Sequence, residues 1–543
     1  MRKGVKVTLV GGVFAVMVGG AGYGAYNLVN GVTGGGGPPG AGPEVVRTGP
    51  PTSGEVGETT KKFFAAWAKG DAEQASHYTN NAEVASKILT GYREDAHLTK
   101  VRLTPGKATG TTVPFSVEAT VSYEGKSKPF AYDSELTVVR GKATGRALVD
   151  WDPSVVHPDL KRDDTLATGE AAAPPVQAVD RHGTVLDEKD HPSLGPLLDQ
   201  LRAKYGEKLG GTPGVELYVR RADEDAGTET LLTLAKGKAG RLKTTLSAPA
   251  QRAAEKAVAQ RPDSSVVAVQ PSSGEVLAVA NHRADEFNAA LEGRLAPGST
   301  MKIVSAAMLI DKGVTKASGP APCPSTATWQ SNTIQNLPGL APNEDATLAD
   351  SFARSCNTAF VKLVDEDGVT DASLTEEARN GFGLGLDWKV GVRTVDGSVP
   401  ASPGPDRAQN MIGQGQVQLN PLNMASVTAT AMTGVFRQPV IVDPSLDARK
   451  LAQARGLPAS TVQQLRQMMN RTAVSGTGAR AMSGLSGSIG AKTGSAEVTG
   501  QEKPNSWFTG YRGDVAAAAV VEKGGHGGDA AGPVVAAVLA AGS

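Results

Sequence analysis

Three short polar motifs in the C-terminal half of the chain constrain its fold more than any other feature. They are STMK at residues 299–302, SCN at 355–357 and KTG at 492–494, and KTG occurs only once. Each motif is weak evidence alone, because short polar patterns recur by chance in a chain of 543 residues. They share a chemical purpose only if the fold gathers them around one hydroxyl group. The sequence therefore predicts that these distant segments converge.

The first motif combines a candidate nucleophile with a candidate base. Ser299 and Lys302 follow a turn-like Ala-Pro-Gly sequence that leads into a helical pattern over residues 303–309. Residues three positions apart share one face of a helix, so the lysine amine can reach the serine hydroxyl. The amine can take the serine proton if burial and neighbouring positive charge lower its pKa. The alternative is an ordinary helix start with a solvated lysine.

The second motif offers a hydroxyl and an amide. Ser355 could pass a proton to a leaving amine, and the Asn357 amide could hydrogen-bond both a substrate and Lys302. The middle residue is Cys356, and the other cysteine of the chain is Cys323. The sequence is compatible with a disulfide between them and with two free thiols. A disulfide would persist if the protein is exported to an oxidising compartment.

The third motif lies at the end of a predicted strand. Lys492 favours a substrate carboxylate, and Thr493 and Ser495 offer hydroxyl groups. Gly494 lets a substrate backbone lie close and pair as an added strand. The backbone N–H groups of Ser299 and Ser495 could then form an oxyanion hole.

The motifs, taken in this order, resemble those of the penicillin-recognising serine enzymes. Similar text occurs at residues 266–281 (VVAVQPSSGEVLAVAN), 413–416 (GQGQ) and 506–511 (SWFTGY). The resemblance implies a penicillin-binding transpeptidase fold over residues 246–543, which is an antiparallel sheet flanked by helices. Strand patterns at both ends of this segment, with helical patterns between them, also predict one antiparallel sheet with helices packed against it.

The resemblance also implies a mechanism of acyl transfer on Ser299. With Lys302 as base, the serine attacks the penultimate D-alanine carbonyl of a peptidoglycan stem peptide, and D-alanine leaves with a proton passed through Ser355. An amine of a neighbouring stem peptide then completes the cross-link. Asn357 would belong to the same catalytic set, and residues 492–495 would bind substrate. β-Lactam antibiotics would acylate the same serine, and no cofactor is required.

The N-terminus predicts a membrane anchor. Three basic residues precede an uncharged apolar run over residues 7–26, which at about 20 residues is long enough to cross a bilayer as a helix. The positive flank favours a cytoplasmic N-terminus. We therefore expect residues 1–30 to form a single-pass transmembrane helix in the cell membrane, with the remainder on the extracellular side. A cleaved signal peptide is the alternative, because small residues near position 20 could serve a peptidase.

The whole chain is predicted to be a multidomain α+β protein. Residues 31–53 are rich in Gly and Pro, which predicts a flexible linker. Residues 54–160 begin with two helical patterns, the second over about residues 71–92, and continue as strands, so they predict a cone-shaped α+β domain. This segment resembles the nuclear-transport-factor-like extension at the front of some class B, low-affinity penicillin-binding proteins. Residues 161–245 would form a linker or dimerisation-type module before the transpeptidase domain at 246–543.

Composition and residue spacing argue against two functions, general nucleic-acid binding and metal binding. Lys plus Arg and Asp plus Glu each number 55, and zero net charge argues against a general nucleic-acid binder. The seven histidines are scattered without an HxH or HxxxH pair, and no CxxC pair occurs. A metal site therefore has no support in the sequence.

The resemblance implies a monofunctional peptidoglycan D,D-transpeptidase. Because no glycosyltransferase-like region precedes the catalytic domain, we expect a lipid-linked glycosyltransferase or polymerase as partner. A D,D-carboxypeptidase stays open, since the choice of acceptor is not written in the motifs. A β-lactamase commonly carries its hydrolytic glutamate in an ExxLN stretch, and none lies between Ser355 and Lys492. A non-catalytic β-lactam-binding or scaffold protein would be expected to have lost a motif residue, and all are present.

Overall fold

The described part of the protein comprises residues 48–223 and 227–542 of a computed structural model. The transmembrane helix expected at residues 1–30, and the linker expected at 31–53 as far as residue 47, lie outside these ranges. Among these described residues, none of the helices combines the length and the apolar composition that a membrane span requires.

Two compact units make up the described chain, and each is built from two stretches of sequence. The first unit contains the residues up to Gly169 together with Glu216–Leu234. The second unit contains Glu170–Val215 and the residues from Ala235 onwards. Both units mix helices with sheets, which confirms the expected multidomain α+β class.

Three helices open the first unit. They are α1 (Ser53–Lys69), α2 (Ala72–Ser76) and α3 (Ala82–Glu94). Helix α1 begins with a capping box on Thr52 and ends at Gly70, whose φ of 76° lies in the left-handed region that glycine adopts easily. Its apolar face buries Phe63, Phe64 and Trp67, as the 3.6-residue periodicity predicts.

A single second helix over about residues 71–92 is the interpretation that the sequence pattern favours, and the structure contradicts it. The chain breaks between α2 and α3, where the backbone of Tyr78 and Asn80 hydrogen-bonds to the backbone of Val149. These strand-type bonds compete with helical ones, so tertiary pairing overrides the local helical pattern.

The strands of the first half of the chain are β1 (Leu98–Pro105), β2 (Thr112–Tyr123), β3 (Lys126–Arg140), β4 (Ala147–Val149), β5 (Thr165–Glu170), β6 (Gln177–Val179), β7 (Val215–Arg220), β8 (Thr228–Ala235) and β9 (Arg241–Lys243). Strands β1–β4 form an antiparallel meander. Strands β5, β7 and β8 form a second sheet in that order. In the second unit, β6 and β9 pair in parallel.

The sequence pattern does not reveal β1. This strand fully buries Leu98 alone and is interrupted by a bulge between Thr99 and Arg102. A bulge shifts the inward and outward alternation that identifies a strand in sequence.

The remaining strands of the second unit are β10 (Ser264–Val269), β11 (Val276–His282), β12 (Thr326–Trp329), β13 (Asn332–Gln335), β14 (Ile489–Ala496), β15 (Asn505–Arg512) and β16 (Val515–Val521). Five of them form the central sheet in the order β11-β10-β16-β15-β14, and every neighbouring pair is antiparallel. This confirms the prediction that strands from both ends of the segment build one antiparallel sheet. Strand β14, which carries KTG, lies at its edge.

Helices of the second unit are α4 (Gly195–Tyr205), α5 (Ala248–Val258), α6 (Ala289–Glu292), α7 (Lys302–Asp311), α8 (Leu348–Ala353), α9 (Asn357–Lys362), α10 (Ser373–Asn380), α11 (Pro405–Met411), α12 (Pro421–Thr433), α13 (Ala459–Val474), α14 (Ala479–Met482) and α15 (Ala531–Ala541). One face of the central sheet packs on α5 and α15, and the other packs on the layer that contains α7 and α12. Because both faces are covered, β16 is buried along its whole length.

Candidate active site

The first motif lies at the start of α7. Ser299 belongs to a short 3-10 turn, Gly298–Met301, and Lys302 is the first residue of the helix that follows. The helix is buried on nearly all sides, so the lysine side chain is also fully buried. Its Nζ atom lies 2.9 Å from Ser299 Oγ. The spacing of three residues therefore brings the two groups into hydrogen-bond contact, as predicted.

Two further oxygen atoms surround the Lys302 amine. Nζ donates to the backbone carbonyl of Ser355 at 2.9 Å and to Asn357 Oδ1 at 2.7 Å. Burial lowers the pKa of Lys302 well below its ordinary value, and the positive charge of Lys492 lowers it further. A neutral amine has two N–H bonds for the two oxygen acceptors, which leaves its lone pair for the Ser299 hydroxyl.

The second motif forms the turn between α8 and α9. Ser355 has a φ of 61°, a left-handed conformation that is uncommon for serine. Backbone hydrogen bonds hold the turn: the N–H of Ser355 donates to Phe352 O at 3.1 Å, and that of Cys356 donates to Ser351 O at 2.8 Å. Such a conformation persists where its surroundings enforce it, and here it places the Ser355 carbonyl on one lysine and its hydroxyl on another.

Lys492 of the third motif is that other lysine. Its Nζ atom lies 2.8 Å from Ser355 Oγ and 2.9 Å from the carbonyl of Thr493. The side chain is fully buried, and its Nζ stands 5.5 Å from the centre of the Phe352 ring. Burial lowers the pKa of Lys492 to about 7. The Ser355 hydroxyl therefore contacts an amine that can both hold and release a proton near neutral pH.

Strand β14 lies directly against the turn that carries the nucleophile. A Cβ atom on Gly494 would stand 2.8 Å from the carbonyl oxygen of Pro297, and one on Gly298 would stand 2.4 Å from that of Ser495. Glycine at these two positions therefore permits the close approach. Within the described chain, β14 pairs with β15 alone, so its second edge can accept an extended peptide.

The structure gathers all of the predicted site residues into this region. The four catalytic candidates and Lys492 form one hydrogen-bonded group, and Thr493, Gly494 and Ser495 continue along β14 beside it. Thr493 Oγ1 lies 2.6 Å from Thr477 Oγ1. A disulfide joins Cys323 to Cys356, so the middle residue of the second motif is tied to the segment before β12.

Sequence reasoning missed the hairpin β12–β13 as part of this site. The Asn357 side-chain amide donates to Gln335 O at 3.2 Å, and its backbone N–H donates to Asn336 Oδ1 at 2.8 Å. No motif marks these two hairpin residues, because their role arises from tertiary contacts. The three motifs also do not mark Gly413, whose carbonyl accepts a hydrogen bond from Gly298 N at 2.9 Å.

Two protein-family profiles match the sequence of this chain. A family profile described as "Penicillin binding protein transpeptidase domain" matches residues 264–540, just over half of the chain, and includes all three motifs. The chain belongs to this penicillin-binding protein transpeptidase family. A second profile, described as "NTF2-like N-terminal transpeptidase domain", matches residues 55–164. The expected kinship with class B penicillin-binding proteins that carry such an extension is confirmed.

Individual proteins with a similar sequence or fold share only 20% to 28% sequence identity with this chain. "Peptidoglycan D,D-transpeptidase PbpA" of Mycolicibacterium smegmatis is 28% identical over 363 residues, which cover 56% of this chain and 72% of that protein. Pseudomonas aeruginosa PBP2, solved with WCK 5153, has a TM-score of 0.54 at 20% identity and covers 69% of this chain and 96% of that one.

A third similar structure comes from a larger assembly. A chain from "Structural coordination of polymerization and crosslinking by a peptidoglycan synthase complex" has a TM-score of 0.54 at 20% identity, covering 70% of this chain and 92% of that one. At such identities, the two structural matches show that the transpeptidase fold is shared.

Proposed function

We propose that this protein is a peptidoglycan D,D-transpeptidase that cross-links stem peptides through an acyl-enzyme on Ser299. The observation that carries the proposal is the position of the buried Lys302 amine, which lies 2.9 Å from Ser299 Oγ. Its other two hydrogen bonds go to the Ser355 carbonyl and to Asn357 Oδ1. Family membership and the similarity to the D,D-transpeptidase PbpA of Mycolicibacterium smegmatis support the same reaction.

Acylation starts when the Ser299 hydroxyl attacks the penultimate D-alanine carbonyl of a donor stem peptide. The new C–O bond forms as the hydroxyl proton passes to Lys302 Nζ. The backbone N–H groups of Ser299 and Ser495 stabilise the oxyanion. The C–N bond to the terminal D-alanine then breaks, and the leaving nitrogen takes a proton from Ser355 Oγ, which Lys492 Nζ replaces from 2.8 Å away.

Transfer to the acceptor reverses these steps. The amine of a second stem peptide attacks the acyl-enzyme and loses a proton through the Ser355 hydroxyl. The bond to Ser299 Oγ breaks, and Lys302 returns the proton to the serine. The donor lies as an added strand along β14, where the hydroxyls of Thr493 and Ser495 and the charge of Lys492 bind its terminal carboxylate.

Location and partners complete the proposal. Residues 1–30 would anchor the chain by a single pass in the cell membrane, and the catalytic domain, residues 246–543, would work on the extracellular side. The disulfide between Cys323 and Cys356 supports export, since such bonds persist in oxidising compartments. A membrane-bound glycosyltransferase partner is supported by the similar fold in a complex that couples polymerization to crosslinking. The remaining boundaries, a linker at 31–53 and front modules at 54–160 and 161–245, belong to the same proposal.

A fluorescent penicillin tests the acyl-enzyme directly. We expect covalent labelling of the wild-type protein with slow release, and no labelling of Ser299→Ala. Ser483→Ala is the matched control, because Ser483 is exposed and outside the site, and it should label like the wild type. Absence of labelling in the wild type would contradict the proposal in favour of a non-catalytic protein, and fast release would favour a β-lactamase.

A second assay distinguishes the two D-alanine-releasing reactions. Incubation with a donor and an acceptor stem peptide should yield both free D-alanine and the cross-linked product. Free D-alanine without the cross-linked product would assign a D,D-carboxypeptidase instead.

A further inference from the structure

One asparagine outside the three motifs has every hydrogen-bonding position of its side chain occupied at the active site. Asn336, which directly follows β13, accepts on Oδ1 from the backbone N–H groups of Asn357 at 2.8 Å and Thr358 at 3.1 Å. Its Nδ2 donates to the carbonyl of Pro324 at 2.8 Å and to Thr358 Oγ1 at 3.0 Å. A side chain with four such bonds has a single orientation.

Two of these bonds cap α9 from outside the helix. The first N–H groups of a helix have no partners within it and need acceptors from elsewhere. Helix α9 begins at Asn357, and the residue before it is a disulfide-bonded cysteine whose sulfur is a weak acceptor. Asn336 Oδ1 supplies a strong acceptor for the first two N–H groups, and so fixes the backbone that bears the Asn357 side chain.

The next link runs from Asn357 to the catalytic lysine. Gln335, which precedes Asn336, accepts from Asn357 Nδ2 at 3.2 Å. With Nδ2 held there, the Oδ1 atom of the same amide faces Lys302 Nζ at 2.7 Å. This bond occupies one N–H of the amine, and the Ser355 carbonyl occupies the other, which leaves the lone pair directed at Ser299 Oγ.

We propose that Asn336 is a positioning residue for acylation, which acts through the Asn357 amide to direct the lone pair of Lys302 towards Ser299. The inference rests on the proposed function, since it assigns a role within the same acyl transfer. The hairpin is anchored at its start by the Cys323–Cys356 disulfide and at its end by Asn336. The hairpin segment is therefore bonded to the residue on each side of Asn357, to Cys356 by the disulfide and to Thr358 by the Asn336 hydrogen bond.

The first test measures acylation by a fluorescent penicillin over a range of concentrations. Asn336→Ala removes both caps, and we expect the rate at saturating penicillin to fall about tenfold to a hundredfold, because small misplacements of catalytic groups have effects of that size. The half-saturating concentration should stay unchanged, since the hydrogen bonds of the Asn336 side chain all go to protein atoms and none remains for a ligand. Asn332→Ala is the matched control: it changes the same residue type in the same hairpin but outside this hydrogen-bonded group, and should acylate like the wild type.

A second variant gives a readout that a merely structural role would not move. Asn336→Asp keeps an acceptor for both N–H groups of α9 but loses the two Nδ2 donor bonds. It adds a negative charge beside Asn357, whose Oδ1 lies 2.7 Å from Lys302 Nζ. The other charged side chain acting on that amine is Lys492. The added charge should raise the pKa of Lys302, so the acid limb of the acylation profile should move to higher pH by about one unit. Loss of fold stability alone would lower the rate without shifting the limb.

The outcomes separate this inference from the proposed function. If the wild type labels at Ser299 but Asn336→Ala acylates at the wild-type rate, the positioning role is wrong and the proposed function stands. If Asn336→Ala does not fold, as judged by circular dichroism, Asn336→Asp decides: a profile superimposable on that of the wild type overturns the inference. Failure of the wild type to label at all contradicts the proposed function instead.

Discussion

At the scale of single residues, two buried lysines set the chemistry of this site. A charged amine is costly to bury, and the protein limits that cost by favouring the neutral form of Lys302. Neutrality at ordinary pH is also what a base for serine requires. The same burial that would destabilise an ordinary lysine therefore produces the reactive one.

Replacing Lys302 by arginine should separate charge from basicity. A guanidinium stays positively charged, whereas the buried amine of Lys302 favours its neutral form, and a guanidinium cannot take the serine proton. We expect Lys302→Arg to lower the rate of penicillin acylation about a thousandfold, and Lys312→Arg, an exposed change just after the same helix, to leave it unaltered. Acylation of Lys302→Arg within tenfold of the wild type would show that another group removes the proton.

Gly413 provides a second prediction at this scale. Its φ is 77°, and a Cβ atom there would stand 1.9 Å from the carbonyl oxygen of Gly298. Gly413→Ala should therefore destabilise the second unit by about 2 kcal/mol or more and slow acylation, because the displaced turn carries Ser299. Thermal unfolding and penicillin labelling measure the two effects. Gly484→Ala, with open space around it and no positive φ, should change neither, and a harmless Gly413→Ala would refute the packing argument.

At the scale of elements, helix α7 links the site to a pair of carboxyl groups, of which Glu377 is buried. Its last residue, Asp311, lies near Glu377 of α10, and Arg455 Nη2 stands 3.5 Å from a carboxylate oxygen of each. Glu377 Oε1 has no hydrogen-bond partner among the described residues. Burial, and then the charge of Asp311, raise the pKa of Glu377 to about 7.

This carboxyl should make stability depend on pH in a defined direction. Because the folded pKa is raised, the folded state holds a proton that the unfolded state loses above about pH 4.5. Stability should fall as pH rises from there to about 7, by at most about 3 kcal/mol in total. Glu377→Gln should therefore stabilise the protein at pH 8 and have little effect at pH 5. Urea unfolding at both pH values tests this, and the exposed neighbour Glu376→Gln should show no such difference.

The disulfide between the hairpin segment and the second motif should stabilise the second unit. It closes a loop with a sequence separation of 33 residues, for which the loss of chain entropy in the unfolded state corresponds to about 3–4 kcal/mol. We expect a reductant to lower the urea midpoint of the wild type to that of the Cys323→Ser, Cys356→Ser double variant. The double variant itself should not respond to reductant. An unchanged midpoint for the reduced wild type would count against this contribution.

At the scale of the whole molecule, the sequence was sufficient to predict the features that depend on local residue patterns. Alternating and continuous apolar runs predicted the central sheet, and motif order predicted which segments meet at Ser299. It was insufficient where long-range contacts decide, as in the break after α2, which depends on pairing with Val149. Asn336 is the clearest case, because its hydrogen-bond partners lie 12 to 22 residues away and no local pattern marks it.

The division of the chain predicts that the catalytic unit can stand alone. All of the candidate site residues lie in the second unit. A Cβ atom on Gly214 would stand 2.9 Å from the carbonyl of Ala235, so the chain can be rejoined there after residues 216–234 are removed. A chain of residues 170–543 with a short Gly/Ser link in that place should label with fluorescent penicillin at the wild-type rate. A folded but unreactive product would mean that the first unit contributes to acylation.

The discontinuous first unit also has a consequence for biosynthesis. Strand β5 has its neighbour β7, and beyond it β8, on the far side of a segment that belongs to the other unit. During synthesis from the N-terminus, the front unit must wait for Leu234 to emerge before that sheet is complete. Polypeptides terminated earlier would expose an unpaired strand, which is a target for proteases and aggregation. The first unit can therefore be complete only when translation has reached the C-terminal stretch of the second unit, which begins at Ala235 and contains the candidate site.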